Sequence, residues 1–115
     1  MAMPSPIEVP RFWLSILNNL YDIERKLTVH GDPGHAIRNV ERIKEEFQQQ
    51  GLIIDDPLGA TFKETRTDLE ASIVGDSTEN LVVTEVIKPV IRFFIGPVSR
   101  VVQKGIVVVQ SKGGA

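Results

Sequence analysis

Apolar side chains recur at Trp13, Ile16, Leu20, Ile23 and Leu27 within residues 11–28. That spacing of three and four lines one face of a helix. A second stripe, Leu14, Leu17 and Tyr21, lies beside the first. So wide an apolar face needs two neighbours. It is either the central helix of a monomer core or a helix whose extra face is covered by a second copy. Pro10 suits the first turn of this helix, where a missing N–H is not needed. Pro4 and Pro6 predict an extended or disordered stretch over residues 1–10. His30-Gly31-Asp32-Pro33-Gly34 reads as a turn, with Asp32 as N-cap and Pro33 as the first residue of a second helix. Ile37, Val40, Ile43 and Phe47 form the apolar stripe of that helix, and Gly51 is placed to end it. Arg38, Glu41, Arg42, Lys44, Glu45 and Glu46 fill its other face, most simply as a solvated surface.

The period changes after Gly51. Residues 52–54, 61–65, 70–74, 81–88, 91–95, 98–102 and 106–110 read as short strands rich in β-branched residues. Asp55-Asp56-Pro57-Leu58-Gly59 and Gly75-Asp76-Ser77 are turns. Gly96-Pro97 is another, and Ile106-Val107-Val108-Val109 is an unbroken apolar run suited to a buried final strand. The pattern predicts an α+β fold with segregated halves. Residues 11–51 form a helical hairpin and residues 52–110 a small β head of short antiparallel strands, a curved sheet or sandwich. Residues 111–115 form a loose tail.

Composition narrows the function classes. A chain of 115 residues supports one domain or two small subdomains. A formal charge of −2, with Lys and Arg spread along the chain, offers no electrostatic case for nucleic acid. There is no Cys, so disulfides and thiolate chemistry are excluded. No apolar run approaches the roughly 20 residues needed to cross a bilayer. The first ten residues lack the charged and apolar regions of a secretion signal, and a cytoplasmic location is expected.

Reactive constellations are sparse. His30 and His35 flank Asp32, but they sit in a Pro/Gly turn with no further strong ligand in sequence reach. Asp55-Asp56 belongs to a turn, and Asp68 and Glu70 are alternate residues at a strand edge. Ser15, Ser72 and Ser99 lack a Gly-x-Ser-x-Gly elbow. No Gly-rich phosphate loop is followed by Lys-Ser/Thr. No cofactor, metal or catalytic residue is expected. Lys88, Arg92, Arg100 and Lys104 are basic residues of the β half. They read as solvated strand edges that discourage aggregation, or as a charge match to an acidic partner. Phe93-Phe94-Ile95 reads as core, with a contact patch as the other reading.

The order of the motifs carries a resemblance. Glu85-Val86-Ile87-Lys88-Pro89, a turn, Arg100-Val101-Val102, then Val107 and Val109 with Gly105 ahead of them resemble the closing segment of the GrpE family. Members are nucleotide exchange factors for the DnaK heat-shock chaperone, and their end reads roughly E-V-L-R-P-G-Y-R, a short turn, R-V-L-R-P-A, then V-x-V. The stretch from Ile16 to Arg25 is similar to the family's L-L-P-V-L-D-N-L-E-R-A segment, and Ile43 to Gly51 to its second short helix. Gly59-Ala60-Thr61-Phe62 matches G-x-x-F, and Glu70-Ala71 the end of F-D-P-x-x-H-E-A. The similarity runs from about Phe12 to Val109. Departures are Lys63-Glu64 after the Phe, Leu69 before Glu70, Val90-Ile91 for Gly-Tyr, Gln103 for the second Arg, and Lys104 for Pro. About two residues are added around Gly96-Pro97.

The family's long N-terminal helix has no counterpart here, so the chain is expected to be a fragment or a short, divergent relative. The resemblance implies a non-enzymatic exchange factor whose β head docks on the ATPase domain of a DnaK-type chaperone. It implies contact through Gly59, Phe62, Lys88, Pro89, Arg92, Arg100 and Val107. It also implies a homodimer built through Trp13, Ile16, Leu17 and Leu20, with no nucleic-acid or membrane partner. An adaptor module that keeps the fold but has lost exchange activity is the other reading.

Overall fold

The computed structural model describes residues 9–112. Two helices, α1 (Arg11–His30) and α2 (Ile37–Gln49), precede six strands. These are β1 (Leu52–Asp55), β2 (Leu69–Val74), β3 (Leu81–Lys88), β4 (Val90–Ile95), β5 (Val98–Gln103) and β6 (Gly105–Ser111). The α+β class and the helices-then-strands order agree with the sequence pattern. Most of the extended start expected over residues 1–10, and the end of the expected tail, lie outside the described residues.

Pro10 stands one place before α1, at φ −56° and ψ 137°, and its carbonyl accepts from the Trp13 N–H. Asp32 does cap α2, but from further away than expected. Its two carboxylate oxygens accept from the N–H groups of Ala36 and Ile37 at 2.7 and 2.9 Å. Pro33 and Gly34 form a turn instead of the first helical residues, because His35 takes a φ of 56° and delays the helix to Ile37. Gly51, at φ 89°, turns the chain out of α2 as its position implied.

The strands form two three-stranded sheets, ordered β1-β4-β5 and β2-β6-β3. The first is antiparallel throughout, with Leu52 opposite Phe93 and Ile95 opposite Val98. Gly96 at φ 60° and Pro97, with its fixed negative φ, join β4 to β5 as a two-residue turn. The second sheet departs from the antiparallel expectation. β6 runs antiparallel to β3 but parallel to β2, from Leu69 opposite Gly105 to Val74 opposite Gln110. As the central strand, β6 has neighbours on both sides, which is where an unbroken run such as Ile106–Val109 fits.

Residues 61–65 do not form the strand expected of them. Thr61 makes one bridge to Val82, the Phe62 N–H donates to the Leu81 carbonyl, and a turn closes from Arg66 back to Lys63. Lys63 and Glu64 are exposed, so the segment has no second face to bury.

Two clusters hold the layers together. Leu17, Leu20 and Val40 of the helices pack on Leu52, Ile91 and Phe93. Val90 of β4 joins Leu69, Leu81, Val83, Val86, Val107 and Val109 in the other cluster. Strand β4 therefore alternates, sending Ile91 and Phe93 to the helices and Val90 to the second sheet. The order is helical hairpin, sheet β1-β4-β5, sheet β2-β6-β3.

Candidate functional site

The residues singled out in the sequence divide sharply once placed. Lys88 ends β3 and Lys104 lies between β5 and β6, both exposed. They are neighbours, since a Cβ built on Gly105 would approach the Lys88 carbonyl. Arg100 is exposed on β5, opposite Phe93. Gly59 is exposed in its turn at φ 80°, with its N–H donating to the Val83 carbonyl. These four lie on the surface of the head.

Three further contact candidates are turned inward. Val107 is 1% exposed and belongs to the core of the second sheet. Pro89 is buried at the step from β3 to β4. Phe62 is half-buried against the same core as Val107. Val107 is buried because β6 alternates, sending Gly105, Val107 and Val109 inward, and Pro89 is enclosed together with Val90 and Ile91 where the chain changes sheets.

Arg92 is engaged within the head. Its Nε donates to Asp55 at 3.0 Å and its Nη2 to Asp68 at 3.0 Å. Asp68 also takes both bonds of the Arg66 fork, at 3.0 and 2.8 Å. The hydrogen bond from Arg66 is the main cause holding the Asp68 carboxyl below its ordinary value, with Arg92 adding attraction. Asp68 thus carries two guanidinium groups and links β4 to the start of β2. Of the four basic residues read as one set, Arg92 is an internal clamp and Lys88, Arg100 and Lys104 face outward.

Phe93 is core, as its run suggested, but Phe94, Ile95 and Val98 at the β4–β5 turn are exposed. This apolar tip flanks the Gly96-Pro97 turn.

On the hairpin, Leu17 and Leu20 face the chain's own Val40, Leu52 and Ile91 and are not available to a second copy. Trp13 is half-buried and meets the Phe47 ring edge-on, with centroids 6.1 Å apart. Ile16 points outward, and Phe12 and Ile23 share its side of the helix by spacing. Ile43 of α2 is exposed as well. Of the four interface candidates Ile16 is exposed, Trp13 is half-buried, and Leu17 and Leu20 are buried, so the exposed apolar face of α1 is Phe12, Ile16 and Ile23.

Sequence reasoning missed a polar row on the inner side of α1. Asn18, Tyr21 and Arg25 are three and four apart, so they share one face. The Tyr21 hydroxyl donates to Asp56 at 2.9 Å, and Arg25 donates to the Val86 carbonyl at 3.2 Å. Burial, helped by the Asp56 hydrogen bond, pushes the Tyr21 hydroxyl above its usual range. The helical spacing of these three polar residues was the available signal.

Among the described residues, no group of three or more His, Asp or Glu is placed to hold a metal. Asp32 spends both oxygens on capping. No helix of the described residues is long and apolar enough to cross a membrane. The chain matches no family model, no curated protein and no solved structure.

Proposed function

We propose that this chain is a GrpE-like nucleotide exchange factor, acting on the ATPase domain of a DnaK-type chaperone through its β head. The reading rests on the ordered motifs between Phe12 and Val109. The observation that carries it furthest is the outward placement of Lys88, Arg100 and Lys104 on a head borne by a helical hairpin. Basic side chains on a small rigid head suit an acidic partner surface, speeding encounter and fixing orientation. The mechanism is differential binding. A head that favours the open nucleotide cleft by about 3 kcal/mol shifts the open-to-closed ratio by roughly 150-fold. ADP then leaves faster, and no reaction occurs on the chain itself.

A second reading, an adaptor that keeps the fold without exchange activity, is favoured by one observation. Arg92, Pro89 and Val107, three of the seven contact candidates, are used inside the head. Stopped-flow release of fluorescent ADP from a DnaK-type ATPase domain separates the two. Acceleration that Lys88→Glu/Arg100→Glu/Lys104→Glu abolishes is the expected result. Binding without acceleration supports the adaptor, and neither binding nor acceleration overturns both.

A further inference from the structure

We propose that Gln103 is a positioning residue that locks the attitude of the β head on the helical hairpin. Its side chain makes three hydrogen bonds to two other parts of the molecule. The Gln103 Oε1 accepts from Asn18 Nδ2 at 2.9 Å, and Gln103 Nε2 donates to Asn18 Oδ1 at 2.8 Å. The same Nε2 donates to the Pro89 carbonyl at 2.8 Å. Asn18 lies on α1, Gln103 ends β5, and Pro89 is the single residue between β3 and β4, where the chain passes from one sheet to the other. One amide thus ties the helix to both sheets at their crossover.

The surroundings make this point stiff. Pro89 is buried, and Gly105, two residues beyond Gln103, has no room for a Cβ, with Leu69 Cδ2 at 2.7 Å and Val90 Cγ2 at 3.0 Å from its ideal position. The paired amides satisfy each other in both directions, so either partner alone leaves a half-buried polar group unbonded. Arg25 and Tyr21 hold the same face of α1 to β3 and to the turn after β1, but each by a single side-chain bond to the head. Gln103 meets the row at its Asn18 end, and there by two bonds. Without it the apolar cluster of Leu17, Leu20 and Val40 with Leu52, Ile91 and Phe93 still holds the hairpin on the first sheet, but that non-directional contact lets the helix rock once the tie to the sheet crossover is gone. This inference does not depend on which partner the head meets.

Two measurements test it. In the wild-type chain, the Gln103 side-chain amide has both hydrogens engaged, and NMR should find it exchanging with water far more slowly than that of exposed Gln49. Equal exchange rates overturn the proposal whatever the variants do. In the second measurement, spin labels are placed by Glu45→Cys on α2 and Ser72→Cys on β2, in a chain with no other Cys, diluted with unlabelled chain. Wild type should give a single narrow distance peak. Gln103→Met, which keeps the length of the side chain, should lose that peak while amide protection at Val107 and Val109 is kept. A narrow, unshifted peak in the folded variant would show that the angle is set elsewhere.

Discussion

At Gly51 the backbone itself dictates the residue. Its φ is 89°, and a Cβ there would sit 2.5 Å from the Phe94 carbonyl oxygen and against the Phe93 ring. The Gly51 carbonyl also accepts from the Phe94 N–H at 2.8 Å, so the chain cannot draw back. Gly51→Ala should cost at least about 1–3 kcal/mol for the strained conformation alone, with the clash added. A lowered urea midpoint at unchanged slope is the expected readout, and an unchanged midpoint would contradict it.

Asp68 supplies a second test at the same scale. It is 13% exposed at its side chain and its carboxyl is held below its ordinary value, first by Arg66. A carboxyl lowered in the folded state stabilises the fold above its unfolded value, near about 4. That contribution fades as pH falls through the lower folded value. Wild type should therefore lose stability below about pH 4 more steeply than Asp68→Asn. Identical pH profiles would show that the two arginines contribute nothing through this carboxyl.

Elements show where periodicity was sufficient and where it was not. The apolar spacing of α1 identified a helix, yet its stripes do not all have the same neighbour. Leu17 and Leu20 are buried at 1% and 4%, while Ile16 stays 40% exposed. Leu17→Ala should cost about 2–5 kcal/mol, as buried leucines do. Ile16→Ala should cost under about 1 kcal/mol, since little area is removed from contact. Thermal unfolding of the two variants checks this, and equal losses would place Ile16 in the core. Residues 61–65 make the opposite point. Thr61, Phe62 and Thr65 favour strands, but Phe62 alone finds a core to enter, and the segment bridges β3 at one residue only.

For the whole molecule, the exposed row of Phe12, Ile16 and Ile23 is the face on which the homodimer implied by the GrpE resemblance can be tested. A dimer formed there would join hairpins and leave the heads free. Ile16→Asp/Ile23→Asp places charge on that face without touching Leu17 or Leu20. Light scattering should then give the monomer mass where wild type gives the dimer. A wild-type monomer at high micromolar concentration would count against that homodimer.

What the sequence determined by itself was the kind and order of the elements. Helical spacing at residues 13–27 and 37–47, β-branched runs and Gly/Pro punctuation act between neighbours in the chain, so they can be read without the rest of the molecule. Only the tertiary structure decided that β2 lies parallel to β6, that Arg92 closes on Asp55 and Asp68, and that Gln103 reaches Asn18 across 85 positions. The same holds for which apolar residues of α1 are buried. These depend on which surfaces meet after collapse. A side chain's spacing along the chain says which face it occupies, but not what that face will touch.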